Sequence, residues 1–299
     1  MWFKNITLFR LTEPLSLSAE GLAARLEQCI FQPCPSYQPS SAGWISPLGR
    51  KGRDLVHAAM GRLLLCLRTE DKVLPAAVIH QMLEERLAEI EDQRQHPVRR
   101  REKLELRERI VEELLPRALC RNRYGYAYFD PMAGWLVVDG ASPRGVEELT
   151  TILRKTLDTL PIAPPRTRRS VAEVMTAWLA EGRAPAEFTL GDSCELREAG
   201  EAGGIVRCRG QDLASVEIRS HLAAGKQVTR LGLCWNERIA FVLDETLVLR
   251  RLRFLDVVQE SLRDIADSPE AVFDAEFALM SGELALLIPR LLEELGGEA

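Results

Sequence analysis

The sequence is short of the residues that usually announce chemistry. Four histidines and seven cysteines occur in 299 residues, and no two cysteines form a C-x-x-C pair. An odd, scattered set (Cys29, Cys34, Cys66, Cys120, Cys194, Cys208, Cys234) argues for reduced thiols, against a disulfide framework or a zinc site. There is no G-x-x-x-x-G-K-[ST] phosphate loop, no strand-bound G-x-G-x-x-G, no H-E-x-x-H and no G-x-S-x-G, so nothing points to a bound nucleotide, a cofactor or a hydrolytic nucleophile. No apolar run approaches the roughly 18–20 residues needed to span a bilayer. The opening residues, MWFKNITLFRLTEPL, lack the pattern of a secretion signal, and a cytoplasmic location is the expectation.

What is present is a soluble composition, 46% hydrophobic and 28% charged, in a chain long enough for one large or several ordinary domains. Net charge is −5, which alone argues against a nucleic-acid partner. Its distribution reverses that. Residues 254–299 carry eleven acidic side chains against Arg263 and Arg290, a net −9, so residues 1–253 carry +4.

The densest positive charge lies within residues 75–123. Val78, Ile79, Met82, Leu83, Leu87 and Ile90 form one helical stripe, and Leu104, Val111, Leu115 and Ala118, broadened by Leu106, Ile110 and Leu114, form another. Pro97 cannot continue a helix, which places a turn near 95–98. Around it gather Arg94, Arg99, Arg100, Arg101, Lys103 and Arg107, opposed only by Glu102 and Glu105. The expectation is a projecting helical hairpin that carries a cationic tip, the electrostatic footprint of a nucleic-acid contact.

Elsewhere the patterning predicts strands over 2–11, 61–68, 188–190, 204–209, 228–235, 238–243 and 247–254. Residues 124–139 predict a β-hairpin, and residues 18–29, 142–160, 171–181 and 212–224 predict helices. The acidic remainder is predicted helical, with an apolar stripe over 284–292. Five regions follow: 1–74, the first part of a central α+β body; 75–123, the hairpin arm; 124–165, a β-hairpin plus helix of that body; 166–253, a second α+β lobe; and 254–299, an acidic helical segment packed on the centre. Residues 64–83 and 205–222 resemble each other as strand–Arg–Asp–helix and are a candidate duplication. Asp130 and Asp139 flank the predicted β-hairpin and could hold a magnesium ion in a nuclease. Asp130 precedes Pro131 in a turn, however, where aspartate is ordinary turn chemistry.

Several collinear stretches resemble the bacterial recombination-associated RdgC family over essentially the whole chain. They are WFKNITLFRL at 2–11, GWISPLG at 43–49, VLPAAVI at 73–79 and LLPRA at 114–118, followed by ILRKTL at 152–157, GKQVTRL at 225–231, FDAEFALMSGELALLI at 273–288 and the closing LGGEA. The resemblance implies a multi-lobed, horseshoe-shaped α+β subunit with mixed or antiparallel sheets, assembling into a ring-shaped homodimer. It also implies a non-enzymatic protein without cofactor or metal that encircles double-stranded DNA irrespective of sequence in the nucleoid. RecA-driven recombination would be restrained by competition for DNA or by direct contact. Carried onto this chain, the implied DNA-binding residues are Arg94, Arg99, Arg100, Arg101, Lys103, Arg209, Gln211, Lys226 and Arg230, and the implied dimer contact is Leu114, Leu115 and Leu119. The family pattern has Lys-Lys-Gln where this chain reads Arg209–Gly210–Gln211, one cation fewer. A different class remains open from the residues alone: a protein-interaction adaptor using the hairpin and the acidic tail, with incidental DNA affinity and no membrane role.

Overall fold

A computed structural model describes residues 1–49, 52–185, 187–198, 200, 203–260 and 268–299. The first half runs β1 (Ile6–Leu11), α1 (Ala19–Glu27), β2 (Ser40–Ile45), β3 (Val56–Ala59), β4 (Arg62–Val73), α2 (Ala76–Arg94), α3 (Arg100–Leu114), a 3-10 turn (Leu115–Arg117), β5 (Leu119–Asp130), β6 (Trp135–Asp139), α4 (Pro143–Leu157) and β7 (Ile162–Ala163). The second runs α5 (Val171–Glu181), β8 (Phe188–Arg197), β9 (Ile205–Arg209), α6 (Val216–Ala223), β10 (Gln227–Trp235), β11 (Ile239–Asp244), β12 (Leu249–Phe254), α7 (Asp256–Gln259) and α8 (Pro269–Glu294). The part of the predicted acidic helix at 261–267 lies outside the described residues.

All described strands join one twelve-stranded sheet with the path β2-β4-β5-β6-β1-β12-β11-β10-β8-β9. Every named strand pair is antiparallel. The chain is therefore α+β, as its interleaved patterns predict. The halves meet where β1 pairs β12 at a single register position, Ile6 opposite Leu249.

Alternation of side chains along the strands divides the interior into two layers. On β5, Ala127 and Phe129 face a core shared with Leu22 and Leu26 of α1 and Leu149 and Leu153 of α4, while Tyr128 between them faces the opposite core. That opposite core runs under both halves and receives Phe277, Met280, Leu284, Leu287 and Leu291 of α8. The first half of the sheet is thus covered on both faces. In the second half, Leu231, Leu233, Phe241, Leu243, Leu252 and Phe254 all point toward the α8 side. The acidic helix consequently packs on one face of the sheet, and the alternate residues of β8–β12 point to the other.

The hairpin departs from its sequence reading at its far end. The second helix stops at Leu114, and residues 119–123 belong to a strand. Pro116 lies in the 3-10 turn, where its missing N–H and fixed φ end the helical ladder. The freed segment pairs with β4 from Val73–Leu119 inward to Leu63–Phe129. The arm is therefore a β-ribbon capped by two helices. Those helices close on Ile79, Leu83 and Ile110. Leu104, placed on the apolar stripe by periodicity, is 55% exposed, because the buried line runs through Leu106, Ile110 and Leu114 instead.

The candidate duplication gains no support from topology. β4 lies inside the sheet between β2 and β5, whereas β9 is its edge and pairs with β8.

Candidate nucleic-acid interface

At the hairpin tip, α2 ends on Gln95 in the left-handed region (φ 57°), and the turn is tied by Val98 N donating to Glu91 Oε1 at 3.0 Å. Arg99 N, at the start of α3, donates to Glu102 Oε2 at 3.2 Å, and Arg94 Nη1 donates to Glu102 Oε1 at 3.1 Å. These hydrogen bonds hold the Glu102 carboxyl below the usual range, the backbone N–H of Arg99 first and the Arg94 guanidinium second. Arg101 pairs with Glu105 at 3.1 Å yet is 91% exposed, so its guanidinium remains reachable from solvent. Arg99, Arg100 and Lys103 are exposed, and their side chains make no ion pair among the described residues. The structure thus brings all five predicted hairpin cations to one place, two of them tied to carboxylates.

The second basic surface is the uncovered face of β8–β12. Arg207 Nε and Arg230 Nη1 both donate to Glu195 Oε2, at 2.7 and 3.3 Å. Arg230 Nε and Arg250 Nε both donate to Asp244 Oδ2, at 2.9 and 3.0 Å. The result is a ladder, Arg207–Glu195–Arg230–Asp244–Arg250, running across the strands of this half. Burial pushes the Glu195 carboxyl up, but the hydrogen bond from Arg207 and the charge of Arg230 outweigh it and leave it below the usual range. Asp244 is likewise held low: burial raises it, while hydrogen bonds from Thr246 and Arg230 dominate.

The other predicted residues differ in availability. Arg209 ends β9, exposed and outside any ion pair among the described residues. Gln211 is exposed beyond Gly210 and its N–H donates to Asp192 O at 3.4 Å. Lys226 is only 15% exposed and lies 3.4 Å from Glu198. Arg230 is 39% exposed and shared between two carboxylates. Sequence reasoning missed Arg207, Arg250 and Arg251, together with the carboxylates that position the first two. One signal was available: consecutive arginines in LVLRRLRF break the strand alternation.

Of the apolar trio, Leu115 is 6% exposed and taken up by packing within its own chain, while Leu114 is half-buried against the hairpin core. Leu119 is 80% exposed, opposite the 45%-exposed Val73.

The two candidate metal carboxylates are both occupied structurally. Asp130 accepts from Arg62 Nε at 2.7 Å and from Ala133 N at 3.0 Å. Asp139 accepts from the N–H groups of Lys4 and Asn5, each at 3.1 Å. Asp130 ends β5 opposite Trp135, the first residue of β6, and Asp139 ends β6; the strand rise between those positions puts the two on the order of 13 Å apart, too far for one ion. Among the described residues no group of three or more His, Cys, Asp or Glu is placed to hold a metal. No described helix is long and apolar enough to cross a membrane.

A family model described as "Putative exonuclease, RdgC" matches residues 1–298. The recombination-associated protein RdgC of Aeromonas hydrophila is 44% identical over 299 residues, covering 100% of this chain and 99% of that protein. Proteins of the same name are 45% identical in Psychromonas ingrahamii, over 299 residues, and in Laribacter hongkongensis, over 298; each alignment covers 100% of this chain and 99% of the relative.

Proposed function

The chain belongs to the RdgC family, and on that premise we propose that it is a non-enzymatic, sequence-independent binder of double-stranded DNA. It acts as a homodimeric ring around the duplex and restrains RecA-dependent strand exchange by covering DNA, in the nucleoid. The observation that carries this reading is charge segregation. The acidic α8 packs on one sheet face, while Arg207, Arg230 and Arg250 lie on the other. A basic face turned away from the acidic helix attracts a polyanion despite the net charge of −5. The hairpin tip adds cations on an arm, and Leu119 with Val73 offers an apolar contact to a second copy.

Because phosphates carry no sequence, affinity comes mainly from counterion release and falls steeply with salt. Reversing Arg99, Arg100 and Arg101 to glutamate weakens binding to all duplexes alike and lowers the salt slope by about 0.9 for each phosphate that is no longer neutralised. An unchanged affinity and slope would remove the hairpin from the interface. Encirclement is tested separately. After a salt jump the protein leaves a linear duplex by its ends but stays on a covalently closed circle, and equal rapid loss from both would sink the ring.

The family description favours a second reading, an exonuclease. The separation and hydrogen bonding of Asp130 and Asp139 weigh against a two-carboxylate metal centre built from that pair. Incubation of end-labelled duplex with magnesium separates the readings: progressive loss of label would favour the nuclease.

A further inference from the structure

A pocket of about 170 Å³ opens on the uncovered face of the sheet, and Arg207, Arg209, Arg230, Arg250 and Arg251 all line it. Two carboxylates, Glu195 and Asp244, neutralise part of that charge through Arg207, Arg230 and Arg250. Arg209 and Arg251 make no ion pair among the described residues. Five guanidinium groups against two carboxylates leave the site near +3.

The backbone is bent to produce this convergence. On a regular strand Arg250 and Arg251 would point to opposite faces. Here the β11–β12 register shifts between Ala240 and Val242, and Arg251 adopts φ 54°, a left-handed conformation uncommon for any residue but glycine. Leu249 and Leu252 on either side both stay in the core, so the two arginines between them leave on the same face. The bulge is held by Asn5 Oδ1, which accepts from Arg251 N at 3.2 Å.

We propose that this pocket receives a phosphate monoester dianion. Planar guanidinium groups bond phosphate oxygens in pairs, and a surplus of several positive charges suits a group carrying nearly two negative charges better than a backbone diester carrying one. The space accepts a phosphoryl group and not a base-paired segment. Two sources supply such a group: the terminal phosphate of a DNA strand, or a free phosphate or nucleoside monophosphate. The first rests on the DNA-binding reading above; the second does not.

The test measures the full chain against short linear duplexes bearing either 5′-phosphate or 5′-hydroxyl ends, against a closed circle, and against inorganic phosphate by calorimetry. The variant is Arg251→Asn, since asparagine tolerates the left-handed backbone. Expected is a preference of about tenfold for phosphorylated ends, comparable to the gain from one bidentate charge-assisted pair. The preference should vanish in the variant and fade below pH ~6 as the monoester takes up a proton. Phosphate binding abolished in the variant, without any end preference, assigns the pocket to the free ligand. No end preference together with no phosphate heat overturns the proposal, and intact binding to the circle would then leave the DNA reading standing. Failure to bind any duplex, circle included, would instead count against the DNA reading.

Discussion

The helical hairpin and the uncovered face of β8–β12 both gather arginine, and they hold it in opposite ways. On the hairpin, Arg99, Arg100 and Lys103 are exposed without an ion pair among the described residues, and Arg101 is 91% exposed despite Glu105. The hairpin itself closes on three buried side chains. On the sheet, Arg207, Arg230 and Arg250 are fixed by Glu195 and Asp244, whose side chains are 10% and 7% exposed. Counting cations makes the two regions look alike. The hairpin presents exposed and mostly unpaired charge, whereas the sheet supplies guanidinium groups in a set geometry with most of their charge already balanced. A ladder of that kind stabilises the fold more than it raises affinity, and the free members, Arg209 and Arg251, carry most of its available charge.

The sharpest way to break the comparison is to remove the anchor on the sheet. Asp244→Ala leaves Arg230 and Arg250 without their shared acceptor and frees the Thr246 N–H and hydroxyl as well. Breaking a buried pair costs about 3–5 kcal/mol, and because both guanidiniums reach water the expected loss is at the low end, about 3 kcal/mol. It should appear as a lower urea midpoint with unchanged slope. A loss near zero would mean the ladder is ornamental to stability. The same anchors set an acid limb. Glu195 and Asp244 are both held below the ordinary carboxylate range in the folded state. Their contribution is therefore complete above the unfolded values, about pH 4, and disappears as pH falls through the folded values. Asp244→Asn should flatten that limb below about pH 4, the unfolded carboxylate value; an identical acid limb in both proteins would assign it elsewhere.

On the hairpin the corresponding change is Ile110→Ala. Ile110 is fully buried between the two helices, and truncation in so small a cluster costs about 2 kcal/mol. The expected damage is local. Amide exchange should quicken across residues 76–114 while strands β10 and β11 keep their protection, because the hairpin core is separate from the sheet cores. Uniform acceleration would show that hairpin and sheet unfold together.

These differences also explain what could be seen in the sequence. Helices α2 and α3 and the turn at Pro97 were legible because a 3.6-residue stripe and a proline are local signals. So were α5 and the β5–β6 hairpin, whose alternation and turn residues lie within a few positions. The outer half of β5 was not: residues 119–123 are exposed, without alternating burial, and are strand only because β4 pairs with them across 45 intervening positions or more. The ladder was hidden for the same reason. Glu195, Arg207, Arg230, Asp244 and Arg250 come from separate strands whose order no single stretch encodes. Arg209 and Arg230, carried over from the family resemblance, line one pocket on that face, whereas Lys226 is drawn toward Glu198, a pairing across 28 positions that no local stretch encodes.

The smallest change sharpens the comparison most economically. Glu105→Gln removes the i,i+4 partner of Arg101 on α3. Exposed pairs of this kind contribute about 0.3–0.5 kcal/mol, so the thermal midpoint should hardly move. The freed guanidinium should strengthen duplex binding by less than about twofold and leave the end preference unchanged, since long-range charge at an exposed site is screened beyond about 8–10 Å. Glu195→Gln is the counterpart on the sheet, and there the order of effects reverses. Arg207 and Arg230 lose a buried anionic acceptor, so stability falls measurably before any gain in affinity is seen. Equal responses of the two variants in both assays would erase the distinction between exposed and fixed cations.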